Sequence, residues 1–524
     1  MSNLKGLAKD TAIYGLSSIV GRFLNYLLVP LYTAKLSAAS GGYGVITNVY
    51  AYTALLLVIL TYGMETTFFR FANKEGENPQ KVYSTTLMAV GFTSLLFVAL
   101  VLAFIGPISS AMGYAEHPSY VWVMAIAVAL DAFQCIPFAY LRYKKRPIKF
   151  AALKLFNIVL TIALNLVFFL LLPALYENGG NGGFIGNIYS PEVGVGYVFY
   201  INLFCSASLM FLLVKELTGF KYTFDRALMR RMLSYSWPIL VLGIAGILNQ
   251  TADKILFPYI YKNADAHSQL GIYGAASKIA MIMAMITQAF RYAYEPFVFG
   301  KAKDKDNRET YAKAMKYFVV FTLLAFLVVI GYMDILRHLI GRDYWSGLKV
   351  VPIVMAAEIM MGVYFNLSFW YKLIDKTIWG AWFSGAGCLV LILVNVIFVP
   401  RFGYIACAWG GFAGYGTAML LSYFVGQKHY PIAYPVKDIM LYVGVALVMF
   451  VAMRFANADL PVWAALGVNT LLIVMFMAMI VKRDFPLSGR PVVGKYCRKE
   501  RAARCPLRRL WRCGTSVTVT DIII

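Results

Sequence analysis

Charge is scarce in this chain. Asp, Glu, Lys and Arg make up only 14% of its 524 residues, while 60% are apolar and 16% aromatic. A string of soluble domains would carry about 25% charge, and a disordered or collagen-like chain would be poor in large apolar residues, so all three classes are excluded. Cysteine is rare as well, at 7 residues. Cys135, Cys205, Cys388 and Cys407 stand singly inside apolar stretches, where each reads as a small buried hydrophobe, and the absence of a CxxC pair excludes a redox or zinc motif. Acidic residues are the scarcer sign, 25 against 48 basic ones, for a net charge of +23. By itself that excess is compatible with a nucleic-acid partner, so its distribution along the chain decides its meaning.

What the chain does have is long apolar runs. A bilayer core about 30 Å thick is crossed by an α-helix of roughly 20 mostly apolar residues. Fourteen such segments can be marked, from 11–33 and 43–66 through to 438–453 and 461–481, the thirteenth being the weakest. Uninterrupted runs such as 95–102 and 389–399 lack the alternation of a transmembrane β-barrel. The first segment follows Lys5 and Lys9 but has no small-residue cleavage site, which marks it as a retained helix.

The basic residues then sort themselves. With a cytoplasmic N-terminus, the inner connections carry Arg142, Lys144, Lys145, Arg146 and Lys149, then Lys215, Lys221, Arg226, Arg230 and Arg231, then Lys301, Lys303, Lys305, Arg308 and Lys313. The outer loops hold few, among them Lys35, Lys262 and Arg401. This is the positive-inside pattern. An even number of spans returns the C-terminus to the cytoplasm, and no nucleic-acid partner is needed to explain the charge.

Residues 43–72 align without a gap on residues 273–302. Tyr43, Gly44, Ala54, Tyr62, Glu65, Phe69 and Ala72 fall on Tyr273, Gly274, Ala284, Tyr292, Glu295, Phe299 and Ala302. Six spans separate the two copies, so the halves share one orientation and form parallel repeats. The expected architecture is an all-α polytopic membrane protein of about 14 transmembrane helices. An N-terminal lobe (1–218) and a C-terminal lobe (219–430) have six helices each, and an added helix pair (431–483) follows. The basic, Cys- and Arg-rich stretch 484–524 abandons the membrane pattern; it reads equally as a lipid-seeking tail and as a non-native sequence.

The stretch LKGLAKDTAIYGLSSIVGRFLNYLLVPLYT, the following YGVI and the helix end TYGMETTFFRFA resemble the polysaccharide flippase branch of the multidrug/oligosaccharidyl-lipid/polysaccharide exporter superfamily, in particular the O-antigen type of bacterial flippase. The resemblance is strongest over residues 4–75. It implies an inner-membrane transporter, not an enzyme, that moves an undecaprenyl-pyrophosphate-linked oligosaccharide to the outer leaflet for lipopolysaccharide or surface polysaccharide biosynthesis. The expected partners are that lipid-linked oligosaccharide, membrane lipids, and the polymerase and glycosyltransferases of the same pathway.

Charges inside membrane spans cost roughly 2.5–3.5 kcal/mol on insertion scales and so mark interiors or wet cavities. Arg22, at the middle of the first span, has a planar fork suited to a phosphate; its bland alternative is an ion pair with Asp131 or Glu358. Lys254 and Lys278 extend a cationic path for substrate, although Asp253 offers Lys254 a local partner and Lys278 lies close enough to a helix end to snorkel. Lys154, Lys316 and Lys349, nearer helix ends, read as snorkelling side chains. Asp131 and Glu358 are candidates for ion coupling, set against simple satisfaction by Gln134 and neighbouring hydroxyls. Arg291 and Glu295, four apart on one helix, with Glu65 at the repeat-equivalent position of Glu295, are read as a gate or lobe-stabilising group near the cytoplasmic mouth, set against plain helix-end capping. No catalytic residue, metal site or cofactor is expected; coupling to a proton, sodium or the membrane potential is. The rivals are a cation-coupled multidrug exporter of the same superfamily, which prefers an acidic cavity, and a membrane sugar polymerase or ligase, which would need a substantial outer catalytic loop that this sequence lacks.

Overall fold

In the computed structural model the residues described are 26–178, 184–300, 308–374, 376 and 378–484. They are helical almost throughout, and eleven of the helices are long and apolar enough to cross a membrane. The described end of the first expected span is α1 (Leu28–Lys35). There follow α2 (Gly42–Thr61), α3 (Met64–Ala72), α4 (Pro79–Ala103), α5 (Pro118–Tyr143), α6 (Pro147–Leu166) and α7 (Gly196–Leu212). The series continues with α8 (Arg226–Ile260), α9 (Ala266–Gly300), α10 (Arg308–Gly331), α11 (Val351–Leu367), α12 (Ile378–Phe402) and α13 (Tyr404–His429). It ends with α14 (Val436–Asp459) and α15 (Val462–Asp484). α7 is apolar but short, at 17 residues. The chain divides into two compact units, Met1–Val443 and Gly444–Ile524. In the second, Asn469 Nδ2 donates to Asn457 Oδ1 at 2.8 Å across the turn between its two helices.

Large apolar side chains point outward along the first unit: Phe92 is 67% exposed, Leu95 73% and Phe211 77%. Such a surface would aggregate in water and is the expected contact with lipid tails. Polar side chains turn inward instead.

Several helices depart from the even spans that hydropathy suggests. The second expected span, 43–66, is broken between α2 and α3, where Tyr62 and Gly63 both take left-handed backbone angles (φ 33° and 72°). Glycine at 63 makes that turn accessible. The repeat-equivalent positions in α9 have no such glycine, and there the helix continues unbroken. α6 passes through a π turn at Val167–Leu171 into a further helical segment, Leu172–Glu177. Pro173, which has no N–H, follows that turn directly, as expected where the helical ladder must skip a donor.

α8 is 35 residues long and belongs to two neighbourhoods. Its first turns place Leu228, Met229 and Met232 in a buried cluster with Phe68, Phe71, Val82, Tyr83 and Ile136 from α3, α4 and α5. Ion pairs from the first turn of α4 and from the α3–α4 connection fasten the same end, Lys81 to Asp225 at 2.6 Å and Arg231 to Glu77 at 2.6 Å. Farther along, Asn249 Nδ2 donates to the Ser384 carbonyl of α12 at 2.8 Å, and Asn48 of α2 donates to the Lys254 carbonyl at 2.8 Å. Pro238 lies between the two regions.

The two repeat-related helices meet. α2 and α9 pack together near their starts, and the paired residues Gly44 and Gly274 both sit at the crossing. A Cβ on Gly44 would lie 1.8 Å from the His267 carbonyl oxygen, and one on Gly274 2.3 Å from Thr47 Oγ1. Small residues permit this approach of backbones, as they do elsewhere in membranes. At the same end, Gly341 N donates to Thr33 Oγ1 at 3.0 Å and Tyr344 OH to the Leu36 carbonyl at 2.8 Å. These contacts close one end of the space between the helices.

Candidate functional site

Behind the α2–α9 crossing lies a cavity of about 630 Å³, lined by α1, α2, α5, α6, α7, α8, α9, α11, α12 and α13. It gathers charged residues that the sequence scatters over more than two hundred positions. Asp131, Asp253, Lys254, Lys278 and Glu358 all contribute to its wall. The described charges on the lining therefore comprise three acids and two bases.

The carboxylate of Asp131, on α5, accepts a hydrogen bond from Ser206 Oγ at 2.7 Å. Gln134, one turn along α5, does not bond the carboxylate; its Nε2 donates to the Ser206 carbonyl at 2.6 Å and so fixes the serine that does. Lys154 is near enough to Asp131 for their charges to interact, and its ammonium sits 4.1 Å from the centre of the Phe138 ring. The snorkelling expected of Lys154 is thus replaced by an aromatic face and an acidic neighbour.

On the other wall, Asp253 is almost fully buried. Tyr273 OH donates to its Oδ2 at 2.7 Å, and Lys254 Nζ stands 2.9 Å from the same oxygen. Lys254 also donates to the Gln250 carbonyl at 2.9 Å. The local polar cluster raised as the alternative for Lys254 is therefore present, and it lies on the cavity wall. Lys278, one and a half turns beyond Tyr273 on α9, has no ion-pair partner among the described residues. Glu358, on α11, and Lys278 both fall within electrostatic reach of Lys254.

Of the residues read as a gate, Glu65 and Arg291 are not among those lining the cavity. Glu65 forms an ion pair with Arg142 at the ends of α3 and α5, and Arg142 also covers the Phe69 ring at 5.0 Å. The Arg291 guanidinium lies 5.0 Å from the centre of Phe365. The side chain of Glu295 lies outside the described residues, as do Arg22 and the tail after residue 484. Lys316 pairs with Asp438 at 3.2 Å, and Lys349 lies 5.2 Å from the Tyr404 ring centre.

Sequence reading passed over the neutral half of the wall. Asn157, Thr161 and Asn165 recur every four residues along α6 and so share one face. Tyr32 OH donates to Asn165 Oδ1 at 2.7 Å, and Asn202 Nδ2 to Tyr50 OH at 3.0 Å. The available signal was that spacing, a polar stripe inside a helix whose other faces expose Phe156, Val159 and Leu166.

Comparison with known proteins places this architecture. A family model described as polysaccharide biosynthesis protein matches residues 7–293. The Lsg locus putative protein 1 of Haemophilus influenzae is 21% identical over 410 residues, covering 76% of this chain and 94% of the relative. Among solved structures, the lipid II flippase MurJ in an inward closed conformation superposes with a TM-score of 0.68 at 16% identity, covering 89% of this chain and 98% of that one. An inward-facing multidrug resistance MATE family transporter of the MOP superfamily gives 0.61 at 13% identity, covering 77% and 93%. The chain belongs to the polysaccharide biosynthesis protein family and is a multi-pass membrane protein that shares its fold with a lipid II flippase and a multidrug transporter.

Proposed function

We propose that this protein moves an undecaprenyl-pyrophosphate-linked oligosaccharide from the cytoplasmic to the outer leaflet of the bacterial inner membrane, supplying lipopolysaccharide or another surface polysaccharide. The observation that carries the reading is Lys278, a cation on the wall of a cavity inside the membrane with no ion-pair partner among the described residues and Lys254 nearby. Lys254 is already paired with Asp253, so Lys278 is the ammonium left for a phosphoryl oxygen to approach. Arg22, read from the sequence as a phosphate ligand, is the third basic group assigned to it. The lobes 1–218 and 219–430 would rock about the cavity in alternating access. With both termini in the cytoplasm, the closed α2–α9 end faces outward. Asp131 and Glu358 are the carboxylates through which a proton or sodium gradient, or the membrane potential, would be coupled to that motion.

A second reading has an observation in its favour. Three acids against two bases on the described wall suit an organic cation, and the fold is shared with a multidrug transporter. Reconstituted vesicles given a fluorescent polyprenyl-pyrophosphoryl oligosaccharide and, separately, a cationic dye distinguish the two. The flippase reading expects the lipid to cross and Lys278→Gln to slow it about tenfold or more, the worth of a charge-assisted hydrogen bond. Passage of the dye with none of the lipid would establish the exporter instead.

A further inference from the structure

We infer that the neutral wall formed by α1, α2, α6 and α7 is a sugar subsite, which binds an uncharged pyranose ring of the cargo while the opposite wall holds the anionic linkage. This rests on the flippase reading and adds to it a division of labour between the two sides of the cavity. None of the described lining residues on these four helices is charged; Asp131, on α5, is already engaged by Ser206 of α7. The described lysines that line the cavity are on α8 and α9.

The neutral wall has the chemistry that sugar hydroxyls require. A hydroxyl donates once and accepts twice, and a carboxamide offers a donor and an acceptor in one plane. Asn165 is held in place by Tyr32 and by its own Nδ2 bond to the Thr161 carbonyl at 2.8 Å. Asn202 is held by Tyr50. Asn157, two turns and about 12 Å along the same stripe from Asn165, differs from both. The residue lines the cavity, and its Oδ1 is buried with no hydrogen-bond partner among the described residues. A buried acceptor left unmatched costs stability unless a ligand completes it. Asn165 and Asn202 thus form a fixed frame, Asn157 is the open acceptor, and the Tyr32 and Tyr50 rings supply apolar surface for the C–H face of a pyranose. A drug-like hydrophobic cation would leave the Asn157 acceptor unmatched.

The test measures binding of two probes of equal chain length, polyprenyl-pyrophosphoryl glucose and sugar-free polyprenyl pyrophosphate, to purified protein in lipid nanodiscs. Wild type is expected to prefer the glucosyl lipid. Asn157→Leu should weaken binding of that lipid about tenfold and leave the sugar-free lipid unchanged, whereas Lys278→Gln should weaken both. Thr161→Val provides a second, milder change on the same stripe, with the same direction expected, should Asn157→Leu fail to fold. Equal losses for both lipids, or no loss, in a folded Asn157→Leu or Thr161→Val protein would overturn the subsite and leave the flippase reading standing. A wild type without preference for the glucosyl lipid would do the same. A wild type that binds neither lipid would overturn the flippase reading and the subsite together.

Discussion

Replacing Gly44 with alanine tests how the cavity is closed. The added methyl would lie 1.8 Å from the His267 carbonyl oxygen, 2.7 Å from its carbon and 3.0 Å from Gly271 N. All three are backbone atoms, so no side chain can rotate away. An ordinary C–H···O approach is about 3.3–3.6 Å, so α2 and α9 must part by about 1.5 Å at this point. Overpacking of this kind costs about 1–3 kcal/mol, and a rigid backbone target puts the cost near the upper end. At 1.4 kcal/mol per factor of ten, about 3 kcal/mol shifts the population roughly 100-fold away from the conformation in which the helices touch. The readout is the labelling rate of Ile46→Cys, a cavity position just beyond the crossing, by a membrane-impermeant maleimide added on the side of the α2–α9 crossing. Cys205, which lines the same cavity, is replaced by Ser in this background. Labelling should accelerate by one to two orders of magnitude in Gly44→Ala. Gly246→Ala, where a Cβ meets nothing within 4 Å, serves as the control and should change nothing. Unchanged labelling in a folded Gly44→Ala protein would refute the idea that this crossing is the seal.

Two further outcomes follow from local geometry. Gly387 and Gly414 bring α12 and α13 together, with a Cβ on Gly387 lying 2.6 Å from the Gly414 carbonyl oxygen, so Gly387→Ala should lower the melting temperature at a cost of about 1–3 kcal/mol; an unchanged melting curve would contradict that packing. Asp225 lies outside the spans, where the Lys81 ammonium and the Leu228 N–H at the start of α8 hold its carboxyl below the usual range. A depressed folded-state value means the stabilisation is complete above the unfolded value of about 3.9 and is lost as pH falls through the folded one, so thermal stability should decline on acidification below about pH 4 and Asp225→Asn should flatten that decline.

The sequence foretells the helices better than their ends. Hydropathy marks spans at 82–105, 119–141 and 377–399, within a few residues of α4, α5 and α12, because crossing a bilayer demands one length of apolar chain. It misses the break at Tyr62–Gly63, which depends on two backbone angles that composition does not encode. It also marks the seventh span only over 234–260, too late for α8, since the polar turn from Arg226 continues the helix outside the apolar run. In the site, Asp131, Lys254, Lys278 and Glu358 are conspicuous because charge is expensive in lipid, and the fold brings all four to one cavity. The amides of Asn157, Asn165 and Asn202 pass unnoticed because a neutral polar group in a span costs too little to stand out. The partner of Glu65 is equally hidden: Arg142 is distant in sequence, and nothing in the spacing favours it over a partner on α9.

The double membership of α8 also bears on how the chain is made. Residues up to 218 supply most of the cluster around Phe68 and Tyr83, but Leu228, Met229 and Met232 complete it. During synthesis the first half therefore keeps an open apolar notch until the opening turns of the next helix emerge and dock. The same helix then carries Asn249 toward α12, which has yet to be made. The early helices cannot finish folding without committing the chain to the position from which the later ones must be threaded, so the order of translation itself sets the assembly of one half onto the other.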